Sequence, residues 1–236
     1  MKRIVTTVFA ISLIFILAAC NTAKGNGNVT VEEHDVSDFN RIDFSGTGEL
    51  FVSVGETESL TVSTDSNLHN ALEISVRDET LHIGTKNGTI INNPTELVYT
   101  ITVIDLESLE ISGSGEVTIE SVNTENFDLE SSGSSAVILE TVDVESLNVD
   151  ISGSGSIRVA GEAESVNFEI SGSGRANAFD LTTDSATIDL SGSGMVEITA
   201  NNELSGSISG SGQIQYRGDA SVNVDVSGSG SVNADN

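Results

Sequence analysis

Ile111-Ser112-Gly113-Ser114-Gly115 returns almost letter for letter as Ile151-Ser152-Gly153-Ser154-Gly155 and Ile170-Ser171-Gly172-Ser173-Gly174. Three further copies follow, Leu190-Ser191-Gly192-Ser193-Gly194, Ile208-Ser209-Gly210-Ser211-Gly212 and Val226-Ser227-Gly228-Ser229-Gly230. A worn copy, Ser131-Ser132-Gly133-Ser134-Ser135, fills the remaining gap. From Ser112 onward the second residues of successive copies are 20, 20, 19, 20, 18 and 18 residues apart. A fixed period of this size marks a solenoid, in which each repeat is one coil laid on the next.

Each repeat holds two alternating runs. After the Ser-Gly phrase come pairs such as Val117 and Ile119, or Ile157 and Val159. Before the next phrase come Phe127 and Leu129, Leu147 and Val149, or Val166 and Phe168. Period-two alternation of β-branched and aromatic residues specifies strands with apolar side chains inward and polar ones outward. The chain is therefore read as all-β: a parallel β-helix, right-handed by the chirality of parallel crossovers, with an irregular β-rich N-terminal cap. A single coil cannot bury its own faces, so the coils are expected to stand or fall together.

The organisation expected is a signal peptide at 1–19, a lipidated cysteine and flexible tether at 20–28, a cap at 29–105 and the Ser-Gly solenoid at 106–236. Lys2-Arg3 forms a basic start, and Val8 to Ala19 is apolar but for Ser12. This stretch is short for a membrane span and reads as an export signal. It ends Leu17-Ala18-Ala19-Cys20, which resembles the lipobox of bacterial lipoproteins. That resemblance implies cleavage before Cys20 and acyl chains on it, hence attachment to a membrane of the bacterial cell envelope. Several acyl chains on one residue anchor durably where one does not. Cys20 is the only cysteine, so the chain has no internal disulfide.

The full chain carries a net charge of −27, and loss of residues 1–19 leaves 7 basic against 36 acidic residues, or −29. Nucleic acid is excluded as a partner, since no basic stripe opposes that charge. Cationic partners or a glycan of the envelope remain open.

Residues 29–105 lack the strict repeat but alternate as strands do. Leu50, Val52 and Val54, then Leu60 and Val62, then Leu81 and Ile83 are examples. Asn87-Gly88 marks a turn, residues 84–96 read as a loop, and Leu68 to Leu72 offers one helical turn. The order Phe39-x-x-Ile42, Gly46-x-Gly48, Ser59-Leu60-Thr61-Val62, Asp65-x-Asn67-Leu68, Thr80-Leu81-His82-Ile83 and Leu109-x-Ile111-Ser112-Gly113-Ser114-Gly115 resembles the putative auto-transporter adhesin family, head GIN domain. The resemblance spans roughly residues 30–236, with Asp105 in place of a proline common among relatives. It implies a β-helical bacterial surface or periplasmic protein, often a lipoprotein, and supplies no catalytic residues.

The strongest candidate site is a ladder of acids. Glu110, Glu130, Asp150, Glu169, Asp189 and Asp225, with Ser207 in the sixth place, each precede the last inward residue of a coil. Stacking sets them about 4.8 Å apart. A second column beside them runs Asp128, Asn148, Asn167, Thr187, Ser205 and Asn223. No basic residue is expected on this face. Arg158 and Arg175 fall on the other strand, and Arg217 in the following loop. Carboxylate and amide oxygens suit a hard cation such as Ca2+; the competing reading is a hydrated acidic face that deters edge-to-edge pairing.

Other candidates are weaker. Glu32-Glu33-His34-Asp35 offers metal ligands on paper and reads as a solvated segment near the tether. His69 and His82 lie far apart in sequence without ligand partners at motif spacing. Arg217-Gly218-Asp219 matches an integrin-binding tripeptide by chance. The Ser-Gly turns read as structural, although a regular hydroxyl row could contact glycans. No serine has a His-Asp context, and the chain has no Trp and only Tyr99 and Tyr216. A polysaccharide-acting enzyme is therefore the least favoured of three functions, behind an adhesin-like or structural surface lipoprotein and an envelope accessory or sensor that binds a small ligand or cations. The ending Ser231-Val232-Asn233-Ala234-Asp235-Asn236 stops mid-coil, which leaves open strand edges and predicts a homo-oligomer or end-to-end contact.

Overall fold

A computed structural model describes residues 21–235. The signal peptide at 1–19 and Cys20 lie outside the described residues. The N-terminal half holds β1 (Asn21–Lys24), β2 (Val29–His34), β3 (Arg41–Ser45), β4 (Glu49–Val54), β5 (Ser59–Asp65), β6 (Leu72–Arg77), β7 (Thr80–Thr85), β8 (Thr89–Asn92) and β9 (Leu97–Val103). The repeat region holds β10 (Ser108–Gly113), β11 (Glu116–Ile119), β12 (Val122–Gly133), β13 (Ala136–Gly153), β14 (Ser156–Gly172) and β15 (Arg175–Gly192). It closes with β16 (Met195–Gly210), β17 (Gln213–Arg217), β18 (Ser221–Gly228) and β19 (Ser231–Ala234).

The repeat winds a parallel β-solenoid of about six turns. One wall is made by the segments that lead into each Ser-Gly phrase. There Leu109 pairs with Leu129, Leu129 with Val149, Val149 with Phe168 and Phe168 with Ile188. A second wall is made by the segments that leave the phrase, where Val117 pairs with Val137, Val137 with Ile157 and Ile157 with Ala176. The long strands run on round a corner between these walls, with register shifts near Leu139/Val142 and Arg158/Ala160. Steps of 18 to 20 residues are absorbed at such corners while the turn phrases stay aligned. The inward residues form one continuous core, from Phe39 at one end to Ile214 near the other.

The Ser-Gly phrase is fixed by two contacts. Its first glycine stands at positive φ, +128° at Gly153 and +121° at Gly172, a region that L-residues avoid. The following serine amide then donates to the glycine carbonyl of the coil before, as Ser173 N does to Gly153 O at 2.8 Å. The second glycine is buried under the preceding coil's branched residue. A Cβ on Gly174 would stand 2.6 Å from Ile151 Cγ2. The worn copy resolves the same crowding differently. Ser131 replaces the isoleucine and Ser135 the second glycine, and their buried hydroxyls meet at 2.6 Å.

The parallel ladder extends N-terminally of the Ser-Gly repeat. Arg41–Phe44 pair with Ser108–Ile111, and Glu49–Val52 with Glu116–Ile119. Strands β7 and β9 add another parallel layer below β3 and β4. Only then does the chain reverse: β6 lies antiparallel to β7, and β2–β5–β9 form an antiparallel run. Asp78 and Glu79, both at positive φ, close the β6–β7 hairpin in the tight turn such a connection favours. The helical turn expected at Leu68–Leu72 is a 3-10 turn at His69–Ala71, which carries the chain across the end of the core.

Two expectations are corrected here. The loop expected at 84–96 contains β8, and the tether expected at 20–28 contains β1, which pairs in parallel with β8 through Asn21–Thr89 to Lys24–Asn92. Residues 26–28 are also tied down. Asp65 is fully buried, and its carboxylate accepts from Gly27 N at 2.5 Å, Thr95 N at 2.7 Å and Thr95 Oγ1 at 3.0 Å. A buried carboxylate demands such donors, and the Gly-Asn composition that suggested a flexible linker supplies one of them.

Candidate functional site

The pairing of the first wall places every residue of the expected acid ladder in one column. Glu110 pairs with Glu130, Glu130 with Asp150, Asp150 with Glu169, Glu169 with Asp189, Asp189 with Ser207 and Ser207 with Asp225. All six acids are exposed. The neighbouring column is equally continuous from Asp128 through Asn148, Asn167, Thr187 and Ser205 to Asn223. The uncharged members relieve part of the repulsion. Asn148 Nδ2 donates to Asp128 Oδ1 at 2.8 Å, and Ser207 Oγ to Asp189 Oδ1 at 2.5 Å.

The wall is not free of basic groups, as the repeat alone suggested. Asp43 pairs with Glu110 and His82 with Asp43, so the acid column gains two members at its N-terminal end. His82 Nδ1 lies 2.8 Å from Asp43 Oδ2. Arg41 extends the second column through Ser108 and reaches Glu107 at 3.5 Å and Glu79 at 3.9 Å. These residues sit outside the strict repeat, so spacing gave no cue to them. Partial burial, with the charges of Asp43 and Glu130 beside it, pushes the Glu110 carboxyl above the usual carboxylate range, while His82 acts in the opposite sense.

A third set of acids was missed. The corner that follows the second wall carries Glu125, Glu145, Glu164 and Asp184, flanked by Asp143 and Glu162. Together with Asp128 and Glu130 they line an open groove of about 1370 Å3. Among the described residues Arg41 is the only basic one on its lining. The steps from Glu125 to Asp184 are 20, 19 and 20, so the repeat did announce this column. It was passed over because corner residues break the inward-outward alternation that reveals strands. Carboxylates held this close repel one another unless a cation or a cationic group sits among them: at about 4.8 Å a pair costs about 0.9 kcal/mol in water.

The remaining candidates take definite places. Arg217 ends β17 rather than lying in a loop, donates to Asp235 Oδ2 at 2.6 and 2.9 Å, and stacks 3.9 Å over the Phe179 ring. Its guanidinium is thereby committed within the fold, which removes it from the Arg-Gly-Asp tripeptide. Glu32 and His34 lie on β2, and the fold brings His69 against them from the 3-10 turn. Sequence spacing could not show this, since the partners are 35 or more residues apart. No helix among the described residues is long and apolar enough to cross a membrane.

Comparison with known proteins places these features in a family. The sequence model described as "Putative auto-transporter adhesin, head GIN domain" matches residues 38–220. The chain belongs to this family. The matched span takes in all but the last rung of the acid ladder and the whole groove. Among solved structures, a putative adhesin of Bacteroides fragilis superposes with TM-score 0.86 at 23% identity, covering 90% of this chain and 99% of its own. A putative lipid binding protein of Parabacteroides distasonis gives 0.79 at 26% identity, with 92% and 100% covered. A putative adhesin of the same species gives 0.71 at 26% identity, with 91% and 100% covered. No curated protein matches the chain.

Proposed function

We propose that this chain is a non-enzymatic binding protein of the bacterial cell envelope, adhesin-like, held to a membrane through acyl chains on Cys20. Its acidic wall and groove engage a cationic partner, either a polycationic segment or Ca2+. The observation that carries this reading is the lining of one open groove: the corner column Glu125, Glu145, Glu164 and Asp184, with Asp143 and Glu162 beside it and Asp128 and Glu130 from the neighbouring wall, faces a single arginine among the described residues. The adhesin names of the family and of its solved relatives support a binding role. The absence of Trp leaves the groove without the aromatic platforms that polysaccharide-acting enzymes use.

The test takes the chain from residue 21 onward and titrates it with an oligolysine peptide and separately with Ca2+. Saturable binding that weakens with added salt, and falls at least tenfold in a variant carrying E125Q, E145Q, E164Q and D184N, supports the reading. Equal affinity in that variant overturns it. Cys20→Ala addresses the anchor: export with loss from the membrane fraction is expected, and unchanged fractionation rules the lipid out.

Two exposed valines support self-association: Val222 and Val226 are 40% and 45% exposed, whereas Leu204 and Ile208, their partners in the neighbouring coil, are buried. Association that depends on concentration and is abolished by Val226→Lys is the expected result.

A further inference from the structure

We propose that Glu32, His34 and His69 form a site for a divalent transition metal ion, Zn2+ by preference, at the N-terminal end of the solenoid. One ligand atom from each of the three lies within 4.8 Å of the others. The site stands apart from the acidic groove and does not depend on its role.

The strand geometry explains why the ligands meet. Glu32 and His34 are two residues apart on β2, so they share a face of that strand. Their partners across the antiparallel pair are Val62 and Leu60, whose side chains enter the core. The face of Glu32 and His34 therefore borders the end of the core, with His34 half-buried and the Glu32 side chain 53% exposed at its rim. The 3-10 turn crosses this end and lays the His69 ring under the strand, with its side chain only 3% exposed.

The two imidazoles present orphaned atoms. His34 Nε2 and His69 Nδ1 are both buried, and neither has a hydrogen-bond partner. A buried ring nitrogen without a partner is costly, and a native structure gives such an atom a role. The other side of the His69 ring is fixed. Its Nε2 lies 3.1 Å from both the Thr30 carbonyl oxygen and Thr30 Oγ1; the carbonyl can only accept and the hydroxyl can accept too, an arrangement that favours the proton on Nε2 and the lone pair on Nδ1. A backbone carbonyl that orients the far nitrogen is the usual outer support of a metal-bound histidine.

Glu32 Oε2 stands 3.7 Å from His69 Nδ1 and supplies the anionic ligand. Two imidazoles and a carboxylate form a donor set typical of zinc sites that leave a further position open. Tetrahedral Zn2+ would draw the three donors to about 3.3 Å apart, which rotamer adjustment at exposed Glu32 and half-buried His34 can supply. Exposed Glu32 leaves the cluster open to solvent on one side. A bound ion would clamp the edge strand β2 to the turn that closes the core.

The test is equilibrium dialysis and thermal melting of the chain from residue 21 onward with Zn2+, with Co2+ as a spectroscopic probe. The expected result is one ion per chain, a melting midpoint raised by several degrees, and a visible Co2+ absorption typical of tetrahedral N/O ligation. His34→Ala and Glu32→Gln, both at positions with solvent access, should each lower affinity at least tenfold while the apo protein stays folded. His69→Ala should do the same, with some loss of apo stability because the ring is buried. The variant with E125Q, E145Q, E164Q and D184N should keep the site, which separates it from loose binding to the acidic groove. Binding that survives His34→Ala and Glu32→Gln, or no Zn2+ bound at all, overturns the proposal.

Discussion

Gly172→Ala puts one methyl group where the stacked turns leave no room. The residue sits at φ +121°, and a Cβ built there stands 2.5 Å from the carbonyl oxygen of Gly153 in the coil before. That oxygen accepts the Ser173 amide at 2.8 Å, so relief by movement breaks the turn-to-turn bond. Backbone strain of this kind costs about 1–3 kcal/mol. Ser173 is exposed and Gly153 half-buried, so water can solvate the freed groups and loss of the bond adds about 1 kcal/mol. A loss of about 3 kcal/mol follows, which for a chain of this size lowers the melting midpoint by roughly 6–12 °C. Position along the stack matters as well. Gly228 has the same geometry, with its Cβ 2.4 Å from Gly210 O, but it lies on the last rung and can fray. Gly228→Ala should therefore cost less than half as much, since a terminal repeat loses one neighbour rather than two. Ser173→Ala, exposed and without a side-chain bond, should stay within about 0.5 kcal/mol of the parent. The assay is urea unfolding followed by circular dichroism. A Gly172→Ala variant within 1 kcal/mol of the parent, or equal losses at Gly172 and Gly228, would refute the stacked-turn argument.

Three further outcomes follow from the same geometry. Ser131→Ile alone leaves buried Ser135 without its partner and should destabilise by about 1–3 kcal/mol, whereas S131I with S135G restores the consensus contact and should recover that loss in a double-mutant cycle. Asp65 is held below its usual range by hydrogen bonds from the Thr95 amide first and then Gly27 and the Thr95 hydroxyl, against the opposing effect of burial. Its contribution is thus present above the usual Asp range and is lost as pH falls through the lowered value, so the hydrogen-exchange protection factors at Gly27 and Thr95 should fall in acid but not in Asp65→Asn, where they are already low. Glu110 has the opposite sign. Its raised value means that the ionised form weighs against folding, so Glu110→Gln should raise the melting midpoint at neutral pH and lose that advantage as acid protonates the parent.

The coils were legible because their signal is local and repeated. Alternation at Val166, Phe168 and Ile170 told inward from outward, and the period told which residues become neighbours. The acid ladder from Glu110 to Asp225 followed from those two facts alone. What escaped the sequence depended on other forces. Corner acids such as Glu145 and Glu164 lie where alternation fails. Asp43 and His82 join the ladder through coils whose turn phrases have diverged. The docking of residues 26–28 rests on Asp65, a buried charge whose partners come from distant segments. The cluster at His69 needs an antiparallel reversal that no period announces.

The most direct test of the whole account is the spacing between equivalent letters of distant coils. With Cys20 replaced by serine the chain has no other thiol, so cysteines introduced as E110C and D189C can carry a spin label each. Four rungs separate these positions in the register of the first wall. Stacking at about 4.8 Å predicts a single dipolar distance near 19 Å, widened by the label arms. A broad distribution, or a distance beyond about 30 Å, would contradict the stack and with it the continuous acidic face.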